Sequence, residues 1–325
     1  MTTRRWLMPA LLALVAVLAC TSIIVGRVVL GWDAWASQET IGRTILLELR
    51  LPRALLGIFI GAALGLGGAA LQGYLRNPLA EPATLGVSAM AALGAVLSIF
   101  FEIAGINPWI LPLSGVAGAV IGMVALFALS GMAASALTLV LSGIILGAIA
   151  IAGISLTLSL SPSPWAAVEI VRWLLGALTD RSFDDLIIAV PLILIGGITT
   201  LGCRHALDAL TLGEVGARSL GIALNRAQWQ LAAGVGLLVG ASVAVTGMIS
   251  FVGLVVPHLL RPAVGARPGA LLLPSALGGA ALVLAGDVLV RLLPGGSELQ
   301  LGVVMSLVGA PFFFALLYSM RRKLT

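Results

Sequence analysis

The chain has 325 residues, of which 60% are hydrophobic and 10% charged, and its mean hydropathy is +1.15. Soluble domains carry roughly 25% charged residues, so a globular cytosolic enzyme is excluded. The net charge of +5 comes from seventeen arginines and one lysine, Lys323, scattered between apolar runs; short membrane-flanking loops explain that pattern and a nucleic-acid surface does not.

The apolar runs are long and unbroken, which predicts an all-α polytopic membrane protein and not a β-barrel of alternating ten-residue strands. About ten spans are expected, at roughly 7–30, 54–73, 84–103, 109–130, 137–158, 185–203, 227–248, 250–262, 270–293 and 302–320. No linker or soluble domain separates them, so residues 1–325 read as one transmembrane domain.

The first run follows Arg4 and Arg5 and half resembles a signal peptide, but it continues past Cys20 through Ile23, Ile24 and Val25. It is long enough to span and is read as uncleaved. Cys20 and Cys203 both sit in apolar runs and read as small buried hydrophobes.

The stretch Arg50 to Pro82 is the one around which the other spans are organised. It opens with Arg50 and Arg53 around a proline, crosses the bilayer with Gly61, Gly65, Gly68 and Gly73, and closes in the turn Arg76-Asn77-Pro78-Leu79-Ala80-Glu81-Pro82. The glycines predict close helix approach.

Further along, residues 164–178 read as an amphipathic helix on the outer surface. The largest inner loop, 204–226, carries Leu212, Val215, Leu220 and Ile222 among Glu214, Arg218 and Arg226. It reads either as a solvated loop or as a helix suited to a protein groove. The eighth span is short and holds Pro257, so a broken or re-entrant helix is expected there. Ten spans put both termini on one side. With both cytoplasmic, eleven basic residues lie inside and seven outside, in the direction of the positive-inside rule.

The chemistry is mostly absent. The only lysine stands at the tail, so no phosphate-loop motif exists. His205 and His258 are far apart, and no cluster has metal-ligand spacing. One acid lies within a span. Asp287 is either a proton site or the partner of Arg291, one helical turn on; the spacing favours the pair.

Several runs carry a resemblance. They are Arg50-Leu-Pro-Arg53; Gly61 to Gly65 with Leu71-Gln-Gly73; Asn77-Pro-Leu-Ala-Glu-Pro82 with Leu85-Gly-Val-Ser88; Leu212-Gly-Glu214 with Ala217-Arg-Ser-Leu-Gly221; Ile249 to His258 with Arg261; and Gly309-Ala-Pro-Phe-Phe313. In this order the sequence resembles the FecCD-type permeases, membrane subunits of type II ABC importers for ferric siderophores, haem and cobalamin. The resemblance implies the type II importer permease fold, a second permease subunit (an identical copy forming a homodimer, or else a similar paired permease), two cytoplasmic ATPases and a periplasmic binding protein. It implies an inner-membrane chain with no cofactor of its own, ATP and Mg²⁺ being held by the ATPases.

By the same resemblance, Arg50, Arg53 and Arg291 would pair with carboxylates of the binding protein. Asn77 and Leu79 would form the cytoplasmic gate, and 137–158 would line the path. Residues 209–222 would be the coupling helix, matched at Leu212, Gly213, Glu214, Ala217, Arg218, Leu220 and Gly221. Where the family has Glu-Leu-Pro-x-Gly, this chain has Glu298-Leu299-Gln300-Leu301-Gly302, which leaves the start of the last helix open. The expected function is import of a metal chelate, a ferric siderophore first and cobalamin or haem next. The alternatives from other classes are a proton-driven carrier using Asp287 and a non-transporting scaffold.

Overall fold

With six glycines and little but aliphatic side chains between Arg53 and Leu75, one helix can be approached closely from several sides, and the bundle forms around it. A computed structural model describes residues 3–26, 28, 41–131, 136–161, 163–265, 267–293 and 299–322. Arg27, residues 29–40, Glu298 and Lys323 lie outside the described residues, as do the side chains of Arg4, Arg5, Arg321 and Arg322.

In chain order the helices are α1 (Thr3–Ile24), α2 (Leu51–Leu75), α3 (Val87–Phe100), α4 (Ile110–Ser130), α5 (Ala136–Ser159), α6 (Pro164–Leu174) and α7 (Phe183–Gly202). Then come α8 (Arg204–Leu210), α9 (Gly213–Ser219), α10 (Leu224–Thr246), α11 (Val252–Val264), α12 (Pro268–Leu292) and α13 (Leu301–Arg322). A short turn, Ile41–Thr44, and a π-helical segment, Ile45–Arg50, lead directly into α2. Among the described residues seven helices are long and apolar enough to cross a membrane, and Val87–Phe100, Val252–Val264 and Leu301–Leu316 are shorter apolar helices. Together they account for the ten expected spans.

The boundaries differ where the chain leaves helical geometry. The first helix stops at Ile24, short of the expected 30. The eighth span runs through Pro257 and Pro262 as one helix. It is short because 247–251 is non-helical and ends with Phe251 at φ 69°. The last helix starts at Leu301, with Gln300 O accepting from the N–H groups of Val303 and Val304.

Local signals set two other starts. Ser163 Oγ accepts from Ala166 N and Pro164 takes the first helical position, which fixes α6. Ser182 and Asp185 form a capping box at α7. α6 ends at Leu174, before the expected 178, because Gly176 adopts φ 74°.

α2 packs against α1, α7, α8, α10, α11 and α12. The α2–α12 contact is reciprocal. A Cβ on Gly65 would collide with Ser275 O, and Cβ atoms on Gly61 and Gly279 would each strike the other's carbonyl. Small residues four apart on both helices thus let the backbones touch, where dispersion rather than the hydrophobic effect holds helices together. Gly65→Val is expected to cost about 1–3 kcal/mol, the usual penalty for overpacking. The check is thermal melting of the purified chain in mild detergent, and an unchanged transition would contradict the packing account.

Two ends of the bundle can be told apart. α6 and Arg181 share a cleft at one end; α8 and α9 lie at the other, beside the last turn of α2. The last turn of α1 is at the α6 end, against Arg50 and Arg291. The first turn of α13 is at that end too, where Gly302 N donates to Gly176 O. Both helices therefore carry their outer ends to the α9 side.

Cys203 is buried and serves as a small apolar core group. Cys20, expected to be buried, is exposed; α1 packs at the edge of the bundle, on α12, α2 and α11.

Candidate docking, gate and coupling sites

At the α6 end four arginines surround a cavity of about 210 Å³: Arg50, Arg53, Arg181 and Arg291, with Asp180 among them. Each is placed by a different element. Arg50 ends the π-helical segment, Arg53 opens α2, Arg181 precedes α7 and Arg291 closes α12.

Their bonds divide them into two sets. Asp287 is 1% exposed and sits between two guanidinium groups. Its Oδ1 accepts from Arg53 Nε at 2.9 Å, and its Oδ2 from Arg291 Nη2 at 2.7 Å. The pair expected from the one-turn spacing is present, and Arg53 is an additional partner 234 residues away. Arg291 Nη1 also donates to Ser22 O and Val25 O, and Arg50 Nη1 to Ile23 O and Ile24 O. These are the carbonyls that the end of α1 leaves without helical partners. Two arginines therefore close the C-terminus of α1, where the helix dipole favours cations.

Arg50 and Arg291 are buried, so the three arginines named from the sequence come together but spend much of their bonding inside the chain. The described bonds of Arg50 go to carbonyl oxygens, and among the described residues its charge has no acid partner. Arg181, in the sequence simply one more outer cation, joins them here. Its Nε is buried without a partner, and burial pushes the guanidinium below its ordinary value against the opposing pull of Asp185 and Asp180.

The proline turn after α2 forms the second site. Arg76 turns left-handed at φ 50° and ends the helix. Asn77 Oδ1 accepts from Leu79 N at 3.0 Å, an Asx turn that holds both expected gate residues in one tight bend. Beyond them Glu81 is buried, and its carboxylate accepts the backbone N–H groups of Phe251 and Gly253. It caps the start of α11 from another part of the chain. Gly86 lies so close to α5 that a Cβ would strike the backbone of Gly143 and Gly147. This turn is thus braced by α11 on one side and α5 on the other. Glu81→Ala strands two buried N–H groups and is expected to cost about 1–3 kcal/mol. Thermal melting checks it, with Glu81→Gln expected to fall between the alanine variant and the parent.

The third site departs from its expected form. Residues 209–222 are not one helix: they comprise the end of α8, a turn at Thr211–Leu212, α9, and a further turn through Gly221 at φ 79°. Thr211 Oγ1 bonds back to Asp208 O and Gly213 takes φ 83°, which together break the helix. α9 is firmly seated. Ala217 is fully buried with Ala209 and Leu210, against Tyr74, Ile222 and Leu224. Its other side presents Leu212, Val215 and Leu220, all exposed, Val215 at 82%. Glu214 and Arg218 pair across the same exposed surface at 3.3 Å. Apolar side chains exposed in this way make α9 a candidate surface for a protein partner.

His258 packs edge-on to Phe312 with ring centroids 5.8 Å apart.

The FecCD transport family matches residues 13–319. The chain belongs to that family. Among its relatives, the vitamin B12 import system permease BtuC of Vibrio parahaemolyticus is 37% identical over 97% of this chain and 95% of its own length. The hemin transport system permease HmuU of Yersinia pestis is 36% identical, covering 98% of this chain and 97% of that protein. The Fe(3+) dicitrate transport system permease FecD of Escherichia coli is 36% identical, over 93% and 95%. A solved structure of an inward-facing metal-chelate type ABC transporter superposes with a TM-score of 0.85 at 31% identity, over 97% of this chain and 99% of that one. The FecCD chain is therefore a multi-pass permease with the type II importer fold, a transport subunit and not an enzyme.

Proposed function

We propose that this FecCD chain is the permease subunit of an ATP-driven importer in the bacterial inner membrane, and that its cargo is a ferric siderophore. The observation that carries the energy source is α9, whose apolar face is held outward by the buried Ala217 on its other side. A firmly seated helix with an apolar outer face can pass a push from a partner into the bundle. That partner is a cytoplasmic ATPase, one for each of two permease copies, which holds the ATP and Mg²⁺. The α9 end then faces the cytoplasm, and both termini with it. The exposed face of α5, with Leu141, Ile144, Ile145 and Ile149, supports pairing with a second permease copy around the path.

At the other end, a periplasmic binding protein would offer carboxylates to the four-arginine cavity. Arg50 suits this role best, since carbonyl oxygens position it without neutralising it. Docking and release then accompany ATP binding and hydrolysis, and the gates at the two ends, with Asn77 and Leu79 at the cytoplasmic one, open in turn. The relatives' names divide among vitamin B12, hemin and ferric dicitrate, all metal chelates, and the captured binding protein decides among them.

A mild-detergent pull-down of the tagged chain from its native membrane tests the assembly. An ATPase and a binding protein are expected to co-purify, and the captured binding protein to bind a ferric siderophore ahead of hemin and cobalamin. A chain that comes out alone and still supports uptake would overturn the proposal. A binding protein that prefers cobalamin or hemin would overturn the cargo alone.

A further inference from the structure

Three arginines with no part in docking, gating or coupling meet at the α9 end, where α2, α11 and α12 finish or begin. They are Arg76, Arg261 and Arg267, and they line a cavity of about 230 Å³ whose deeper wall includes Ala69 and Leu271. Different local structures bring them there. The left-handed residue that ends α2 is Arg76 itself, and Arg267 occupies the N-cap position of α12. Arg261 comes from the last turn of α11 and is steadied by its Nη2 donating to Gln72 Oε1 at 2.7 Å. Its Nε is buried without a partner. Arg76 and Arg267 are exposed.

The lining includes no carboxylate. Asp208 stands beside the pocket, but its Oδ1 accepts the backbone N–H of Gly269 at 2.8 Å, which ties it to the start of α12. Three guanidiniums against one acid leave a clear positive excess. Ala69 and Leu271 are buried and apolar, and Ala69 lies seven residues up α2 from Arg76, roughly 10 Å toward the middle of the bundle. The site is a cationic mouth over an apolar slot, at the level where spans meet headgroups.

We propose that this pocket binds the phosphate of an anionic phospholipid, with the three guanidiniums on the headgroup and the start of an acyl chain along Ala69 and Leu271. Guanidinium forks suit phosphate oxygens, and basic pockets between spans are suited to anionic headgroups. Free phosphate offers the same anion but no tail for the slot. Only the choice of leaflet, the one facing the ATPases, rests on the orientation proposed above.

The test is native mass spectrometry of the full chain extracted in mild detergent, with added phosphatidylglycerol or phosphatidylcholine. One phosphatidylglycerol is expected to stay on each chain, phosphatidylcholine at least about tenfold less, and millimolar inorganic phosphate is not expected to displace it. In Arg76→Gln with Arg267→Gln, retention of phosphatidylglycerol is expected to drop at least about tenfold. Equal retention of the two lipids by the parent chain would overturn the proposal without recourse to any variant. Undiminished retention by the double variant would overturn it as well. Displacement by inorganic phosphate would overturn the lipid as the source. Exclusion of the lipid once an ATPase is bound would assign the pocket to an acidic segment of that partner, and would also overturn the proposal. Lipid retention is read without transport or topology, so its failure leaves the importer reading standing.

Discussion

Val215→Asp is expected to abolish ATP-driven uptake while the chain still inserts and folds. Val215 is the most exposed of the three apolar residues on and flanking α9. In the proposed complex it enters an apolar groove of the ATPase. An unpaired carboxylate there costs several kcal/mol, and 3 kcal/mol already corresponds to about a 100-fold loss of affinity. Within the chain an exposed side chain has little to lose, so stability is expected to stay within about 0.5 kcal/mol. Ala217→Asp should do the reverse, since Ala217 is fully buried in the seat of the helix. It lowers the melting temperature first, and uptake falls as folded protein is lost. Glu214→Ala removes an exposed pair worth little to folding, so any loss of uptake it causes reports on coupling. The measurement is co-purification of the ATPase alongside thermal melting. A Val215→Asp chain that retains both its partner and full uptake would remove α9 from the energy path.

Asp287→Ala is the second large effect, and it falls on stability. The carboxylate is buried between Arg53 and Arg291. Its removal leaves two guanidiniums facing each other with an uncompensated buried charge, a change that costs about 3–5 kcal/mol. Arg291 also holds the end of α1 through Ser22 and Val25, so α1 should loosen as well. Thermal melting should show a large drop, and uptake counted per folded molecule should fall far less. A proton-driven carrier predicts the opposite for Asp287→Asn, with normal melting and no uptake.

Much of this architecture is legible in the sequence because it depends on local spacing. Apolar length sets the spans, and the glycines at 61, 65 and 68 mark the close face of α2. Asp287 and Arg291 lie one turn apart on one helix, so their pairing can be read directly. Arg53 as the second partner cannot, since only the packing of α2 on α12 brings residues so distant together. The same holds for Arg50 and Arg291 at the end of α1, and for Glu81 at the start of α11. A capping residue supplied from a distant turn leaves no pattern in its own neighbourhood. The break at Thr211–Leu212 is hidden for another reason. The amphipathic period of 209–222 runs through it, and only the backbone of Gly213 and the back-bond of Thr211 stop the helix. Arg181 does carry a signal, a basic residue against the positive-inside trend, but that trend does not say which outer arginines share a cavity.

The measurement closest to the central claim is uptake into proteoliposomes holding this permease with its ATPase, fed by the loaded binding protein. The importer account predicts uptake that requires ATP, survives an uncoupler that collapses the proton gradient, and disappears with Val215→Asp. Uptake that continues without ATP and stops with the uncoupler would contradict it, and would return the energy source to the membrane gradient.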